Sequence, residues 1–265
     1  MESTILERHF SRIGARLRVE PAKGRLVRPF VLDIGRDRVG EYFSIRAQNP
    51  AELDMGTVEV RPEMRHLLLL ARTATGKEKF LCGHDERHWF VAAVPNRGPV
   101  TGVVTAMEAL KPVMARVEQN RRYVPYADRI RRKTAAYIRQ GEWFFIPIPR
   151  WQRIDSKWAF RNEPLRRGMG KPHIAEECVR EGGEIVYISR QHPNVLTESQ
   201  HKKLLDRRPK MRALMWTQQR RNPAVYVRGT VKHADHATIY LPTWHLVQMN
   251  TENQAPAMAS VAFID

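Results

Sequence analysis

The sequence predicts an α+β fold: an N-terminal antiparallel sheet or partly open barrel, followed by a mixed helix/strand half. Two observations carry this, and a third marks the second half. From Arg16 to Val94 short β-branched and aromatic runs alternate with turn signals, with no helical period between them. From Thr101 onward apolar stripes at helical spacing enter. The charge is concentrated in that later half. At 265 residues, 42% apolar and 28% charged, the chain is long enough for one large domain or two small ones. The expected division is a β-rich sheet domain over 1–98 and a basic α+β domain over 99–265, or one interlocked fold.

Thr4-x-x-Glu7 has the form of a capping box opening a short helix. Strands are expected at Arg16–Val19, Phe30–Ile34, Glu41–Arg46, Thr57–Val60, His66–Arg72, Lys79–Cys82 and Trp89–Val94, separated by turns such as Gly35 to Gly40 and Thr75-Gly76-Lys77. The run from His66 to Leu70 is continuous rather than alternating, which predicts a strand covered on both faces. A helix is expected over Thr101–Arg122, kinked at Pro112, and a second over Asp128–Gln140, stopped by Gly141. An aromatic strand over 142–149 follows, with prolines that place it at an edge or end it. Then come a helix from Pro172 to about Glu181, a strand Glu184–Ser189, a helix capped by Thr197-x-x-Gln200, and a helix Lys210–Arg221. Final strands are expected at Val225–Lys232, Ala237–Leu241, Trp244–Gln248 and, after a loose segment 251–258, at Val261–Ile264.

The net charge of +17 and pI near 10.4 imply an anionic partner. Residues 1–120 carry 19 Lys/Arg and 15 Asp/Glu, residues 121–221 carry 24 and 10, and residues 222–265 carry 2 and 3, so polyanion binding is expected to centre on the middle segment. There Arg121, Arg122, Arg129, Arg132, Lys133 and Arg139 interleave with Tyr123, Tyr126 and Tyr137, and Arg150, Arg153, Lys157 and Arg161 with Trp151, Trp158 and Phe160. Long cationic arms reach phosphates, and exposed rings stack on unpaired bases; Trp151 is the ring assigned to that role. Arg166, Arg167, Gly168, Gly170 and Lys171 read as a phosphate cradle in front of a helix at Pro172, although the spacing is not that of a Walker loop.

Two histidine-bearing stretches carry possible chemistry. Cys82-Gly-His84-Asp85-Glu86-Arg87-His88 is a tight connection between strands, with His84 and His88 as candidate metal ligands and Asp85 or Glu86 as a base. Val225–Asn250 holds His233, Asp235, His236 and His245, the candidate catalytic set, with His233 and Asp235 also candidate ligands of a divalent metal. His233-Ala-Asp235 has the H-x-D form of a facial-triad iron site, but that chemistry needs a distal histidine well downstream and only 20 residues follow His245. His173 and Glu177, at i, i+4 on the expected helix, would share one face and could hold a metal between them, although the second histidine of the zinc-protease motifs is absent and a surface ion pair is the favoured reading.

Two cysteines cannot form a disulfide framework, the start lacks the apolar core of a secretion signal, and no apolar run approaches the about 18 residues that span a bilayer. The expectation is therefore a cytoplasmic nucleic-acid-binding protein that grips backbone phosphates. A metal-dependent nuclease or phosphodiesterase is the alternative, and an adaptor for an acidic protein or anionic surface a further one; protein partners are not specified. Convergence of the His84–His88 turn with the His233–His236 turn, with Gly168–Lys171 opening onto the same cleft, would favour the hydrolase.

Overall fold

The run Leu67-Leu68-Leu69 makes the first half of the molecule two-sided. Alternate residues of a strand point to opposite faces, so three consecutive leucines, all fully buried, require cover above and below. In the computed structural model, which describes residues 2–74, 76–96, 98–168 and 170–261, that cover is present. Strands β1 (Leu17–Pro21), β2 (Phe30–Asp37) and β3 (Gly40–Ala47) form a sheet in the order β1-β3-β2, with β1 parallel to β3. Strands β4 (Asp54–Arg61), β5 (His66–Thr73), β6 (Gly76–Asp85) and β7 (His88–Ala93) form an antiparallel meander. Leu67 and Leu69 of β5 face Phe30, Leu32, Phe43 and Ile45 of the first sheet, and helix α1 (Glu2–Arg12) adds Leu6 and Phe10 to the same core. Leu68 faces the other way, toward Val103, Ala106 and Leu110 of helix α2 (Val103–Leu110). Each buried leucine contributes roughly 1.5–3 kcal/mol, which is why this strand anchors both layers.

The expected helix over 101–122 is two helices, α2 and α3 (Val113–Arg121), because Pro112 breaks rather than kinks it. At the break the buried Lys111 ammonium donates to Glu108, to Gln119 Oε1 (3.1 Å) and to the Arg129 carbonyl (2.7 Å). That carbonyl also accepts from Gln119 Nε2 and, at 2.6 Å, from the Tyr137 hydroxyl. These bonds explain the failure of the helix expected over Asp128–Gln140. A carbonyl already taken by three side chains is not offered to an amide four residues on, and tertiary hydrogen bonding overrides the helical spacing of the apolar residues. The segment is a 3-10 turn (Tyr126–Asp128), a loop and strand β8 (Ile138–Gln140).

The second half is organised by a six-stranded antiparallel sheet in the order β10-β11-β15-β16-β9-β8. Its further members are β9 (Trp143–Pro147), β10 (Phe160–Leu165), β11 (His173–Glu181), β15 (Ala224–Lys232) and β16 (Ile239–Met249). The aromatic strand β9 is interior, between β16 and β8, and its Pro147 sits at the end where no amide is needed. The expected helix after Pro172 is β11: its two edges pair with β10 and β15, and these ladders outweigh the helix propensity of Ala-Glu-Glu. The two expected strands at 237–248 are one, β16.

Between β11 and β15 the chain leaves the sheet as a small arm. Strands β12 (Glu184–Ser189), β13 (His192–Thr197) and β14 (Thr217–Arg221) pair in the order β13-β12-β14, with α4 (Glu198–Arg207) beside them. Thr197 and Gln200 cap α4 reciprocally, as their spacing predicts. The helix expected over 210–221 is instead a 3-10 segment (Pro209–Ala213) and β14, whose pairing with β12 decides its conformation. At the root Gly183 has φ +81°, and a Cβ there would lie 2.8 Å from the Arg221 carbonyl, so the two chains meet only over a glycine.

The segment expected to be loose, 251–258, forms 3-10 turns Glu252–Gln254 and Pro256–Ser260, and Ala255, Ala257 and Val261 enter the first core. Val261 bridges Leu32; the rest of the strand expected at Val261–Ile264 lies outside the described residues, as do Thr75 of the 75–77 turn and the Thr4 side chain. Helix α1 begins at Glu2, so Thr4 is inside it rather than at its N-cap. The architecture is α+β and strand-dominated; among the described residues none of the four sheets closes into a barrel. No helix is long and apolar enough to cross a membrane among them.

Candidate active-site cleft and basic surface

Strand pairing brings the histidines together. In the β11–β15 ladder Ile174 opposes Lys232, which sets His173, one residue before, beside His233, one residue after. The connection from β15 to β16 then folds His236 against the same place. The rings of His173 and His233 stack at 4.1 Å, those of His233 and His236 at 4.8 Å, and those of His173 and His236 at 5.7 Å. One ligand nitrogen from each of the three lies within 4.8 Å of the others.

The β6–β7 turn meets this group from the other sheet. Its Glu86 has φ +49°, a left-handed conformation that costs a non-glycine residue roughly 1–2 kcal/mol. The carboxylate is held in return: it accepts from the Ala237 amide at 2.7 Å, lies 3.5 Å from His236 Nδ1 and pairs with Arg132. His88, opposite Asp85 in the same hairpin, bonds Glu41 Oε1 through Nδ1 (2.6 Å) and faces Asp235 Oδ1 through Nε2 (3.6 Å). The two turns therefore converge. Between them lies a cleft with about 1070 Å³ of empty volume, its open mouth included. Leu81, Phe90, Met107 and Leu110 make its apolar floor, and Arg139, Asp235, His233 and His236 part of its polar wall.

Gly141 closes the wall at the β8–β9 turn. It was expected to stop a helix; in fact it turns a hairpin at φ +58°. A Cβ there would sit 2.9 Å from His236 Nε2 and 3.5 Å from His173 Nε2, so the bare glycine keeps the space between those nitrogens open.

Charges in and around the cleft are mutually paired. Arg132 pairs with Asp85 and Glu86, Arg139 approaches Asp85 at 3.5 Å, and Lys171 holds Asp235 through both carboxylate oxygens (3.0 and 2.8 Å). The Lys171 hydrogen bonds, with smaller help from His88 and His233, hold the Asp235 carboxyl below its usual range. Burial brings the Arg132 guanidinium down to about 10, with the Arg139 charge acting in the same direction. Burial pushes His173 down to about 3, with the neighbouring His233 and His236 adding to it, and lowers His233 as well.

The residues expected from the sequence divide clearly. His233, Asp235, His236 and His88 line the cleft. His84 does not: it alternates to the other face of the hairpin, edge-on to Trp89 at 4.9 Å. His245 is buried in β16, its Nδ1 2.6 Å from the Thr243 carbonyl, and does not line the cleft. The phosphate cradle lacks the helix it was to precede. Arg167 is buried in an ion pair with Glu252 and also donates to Asn253, Lys171 is committed to Asp235, and Arg166 and Gly168 are exposed. Gly170 closes a turn on the Arg167 carbonyl, and Met169 between them lies outside the described residues. Gly141 lines the cleft and His173 stacks on its two histidines; from sequence the first reads as a helix stop and the second as a partner of Glu177 instead of His233. The signal for His173 was register: read as a strand, 173–181 pairs with the strand leading to His233.

The remaining basic candidates face solvent or serve the fold. Arg129 donates to the Val124 carbonyl. Lys133 and Arg153 are exposed. Arg121 and Arg122 share Glu118 and, with Ile148, Pro149, Arg150 and Trp151, line a shallow groove. Tyr123, Trp151 and Trp158 are 90, 82 and 75% exposed, and Tyr126 and Phe160 are also out; Tyr137 alone of the interleaved rings is core.

Fold and cleft define a strand-dominated α+β protein with a histidine-walled cleft and a basic, ring-studded exterior. Comparison with protein-family models, curated proteins and solved structures gave no match.

Proposed function

We propose that the chain binds nucleic acid, with unpaired bases stacked on its exposed rings and the backbone held by neighbouring arginines. One observation carries the reading: five large aromatic side chains stand exposed within the most basic part of the sequence. An exposed tryptophan or tyrosine gives up apolar burial, and a soluble protein leaves several beside arginines at a cost unless a flat partner covers them. The groove of Arg121, Arg122, Arg150 and Trp151 has the composition of a stacking platform with a phosphate track. An acidic protein or anionic membrane could use the same charge and rings, so the titration below carries an arm for each class of surface.

The test is a binding titration with single-stranded oligonucleotide, duplex, an acidic polypeptide (polyglutamate) and anionic vesicles over a range of salt. Preference for the single strand is expected, with log K falling steeply against log salt. Trp151→Ala should cost about 1–3 kcal/mol of single-strand affinity and leave vesicle binding unchanged. A flat salt response, or equal loss for vesicles, defeats the reading.

A second reading, a metal-dependent phosphodiesterase acting in the cleft, is supported by the convergence of the two turns. Its test is cleavage of mixed DNA and RNA with divalent metals, repeated with His236→Ala; activity surviving in that variant removes the assignment.

A further inference from the structure

His173 poses the sharpest physical question in the molecule. It is 2% exposed, and neither ring nitrogen has a hydrogen-bond partner. Leaving a buried polar group unsatisfied is costly, so such a group calls for an explanation. Its surroundings supply one. On one side is Trp143, at 6.2 Å between rings; on the other are two more imidazoles, and beside its Nε2 is the space that Gly141 leaves open.

We propose that His173, His233 and His236 form a three-imidazole centre for a divalent first-row transition ion of the zinc class, with its fourth position open to the cleft. The donor set selects this chemistry: imidazole suits zinc and its neighbours, whereas magnesium and calcium take oxygen ligands. The outer contacts are those that orient metal-bound histidines. His236 Nδ1 faces the Glu86 carboxylate at 3.5 Å and His233 Nε2 the Lys171 carbonyl at 3.3 Å. The His233 lone pair then lies on Nδ1, where the Asp235 amide reaches it at 3.2 Å, and the ion displaces that long bond.

Binding requires the rings to close up. Nitrogens of a tetrahedral site are about 3.4 Å apart when each is 2.0–2.1 Å from zinc. The three nitrogens here fall within 4.8 Å, so the rings must turn inward from their stacked arrangement. The His173 ring is held back by no hydrogen bond at either nitrogen, and the His233 contacts are long, at 3.3 and 3.2 Å. Three protein ligands with a fourth position facing a cleft is the pattern of a catalytic rather than a structural site.

The experiment is to strip the full chain with chelator and titrate it with Zn2+ alone, then with Co2+, whose visible absorption reports its coordination. One equivalent should bind, Mg2+ in large excess should not displace it, and Co2+ should give the intense bands of a tetrahedral nitrogen-rich site. His173→Gln and His233→Ala should each weaken binding by at least about 100-fold, while His88→Ala, outside the trio, should leave it within about threefold. His173 is buried, so if His173→Gln fails to fold, His233→Ala, on a partly exposed residue, decides alone. Absence of stoichiometric binding overturns the proposal. So does binding that is lost in His88→Ala and kept in His233→Ala, which would move the ion to the His88–Asp235 side. Nucleic-acid binding does not enter these readouts, so either proposal can fail without the other.

Discussion

The cleft and the arm are rich in the same cations and use them in opposite ways. In and around the cleft the cations have carboxylates: Arg132 has Asp85 and Glu86, Arg139 has Asp85, Lys171 has Asp235, and Arg167 has Glu252. In the arm, residues 184–221, nine Lys/Arg stand against three Asp/Glu, and among the described residues Arg221–Glu184 is the arm's one ion pair. Burial follows the same division. Val186 alone is buried in the arm, which is tied together by Tyr187 stacked on His201 at 4.0 Å and Trp216 edge-on to His201 at 4.6 Å. Paired charges fix geometry; unpaired charges on a segment with almost no core await a counter-charge. Formal charge along the sequence does not distinguish the two. Arg132, Arg139, Arg167 and Lys171 were all expected to meet phosphate, and all four are spent on internal carboxylates.

The largest expected effect tests the paired side. Arg167→Ala leaves the Glu252 carboxylate buried without its partner, which should destabilise the fold by about 3–5 kcal/mol in equilibrium denaturation. The salt dependence of nucleic-acid binding should not change. A variant that keeps its stability and loses affinity would return Arg167 to the phosphate-binding role its sequence suggests.

The arm is next. Lys202, Lys203, Arg207 and Arg208 are exposed along and just after α4. Replacing all four by Gln should lower nucleic-acid affinity on the order of 10- to 100-fold at moderate salt and flatten the slope of log K against log salt by about 3, while zinc binding stays as it was. An unchanged slope would mean that the arm's charges face solvent only, and the contrast with the cleft would lose its functional meaning.

How far the sequence reveals this division depends on the distance over which each signal acts. Strands β2 to β7 are legible because local alternation and local turns determine a meander, and the three consecutive leucines announce a strand covered on both faces. The helices expected at 128–140, after Pro172 and at 210–221 are not there because the deciding partners are remote: the Arg129 carbonyl is claimed by Lys111 and Gln119, β11 is held by β10 and β15, and β14 is held by β12. The site shows the same limit. His233, Asp235 and His236 stand together in the chain and can be read there, whereas His173 joins them through a ladder some sixty residues long in sequence, and Gly141 through a hairpin on another strand. A wrong secondary structure at 173–181 conceals the trio more completely than any missing motif.

The smallest effect separates histidines that belong to the cleft from those that belong to the core. His245 is 4% exposed and its pKa lies below the ordinary 6.5, chiefly because burial disfavours the charged ring, although the bond to the Thr243 carbonyl pulls the other way. In the unfolded chain the same ring takes a proton as pH falls through about 6.5, so below that value the unfolded state binds more protons than the folded one. Stability must therefore rise with pH across this window and fall on acidification, by at most about 1.4 kcal/mol per pH unit for one such group. His245→Asn keeps a donor for the Thr243 carbonyl and removes the titration. Denaturation midpoints measured from pH 7.5 to 4.5 should therefore converge, with the parent losing stability faster than the variant. Zinc affinity at pH 7.5 should be the same in both, because His245 lies outside the cleft. Parallel pH curves would mean that the ring is protonated without penalty in the fold, and β16 would then have to open toward water at that point.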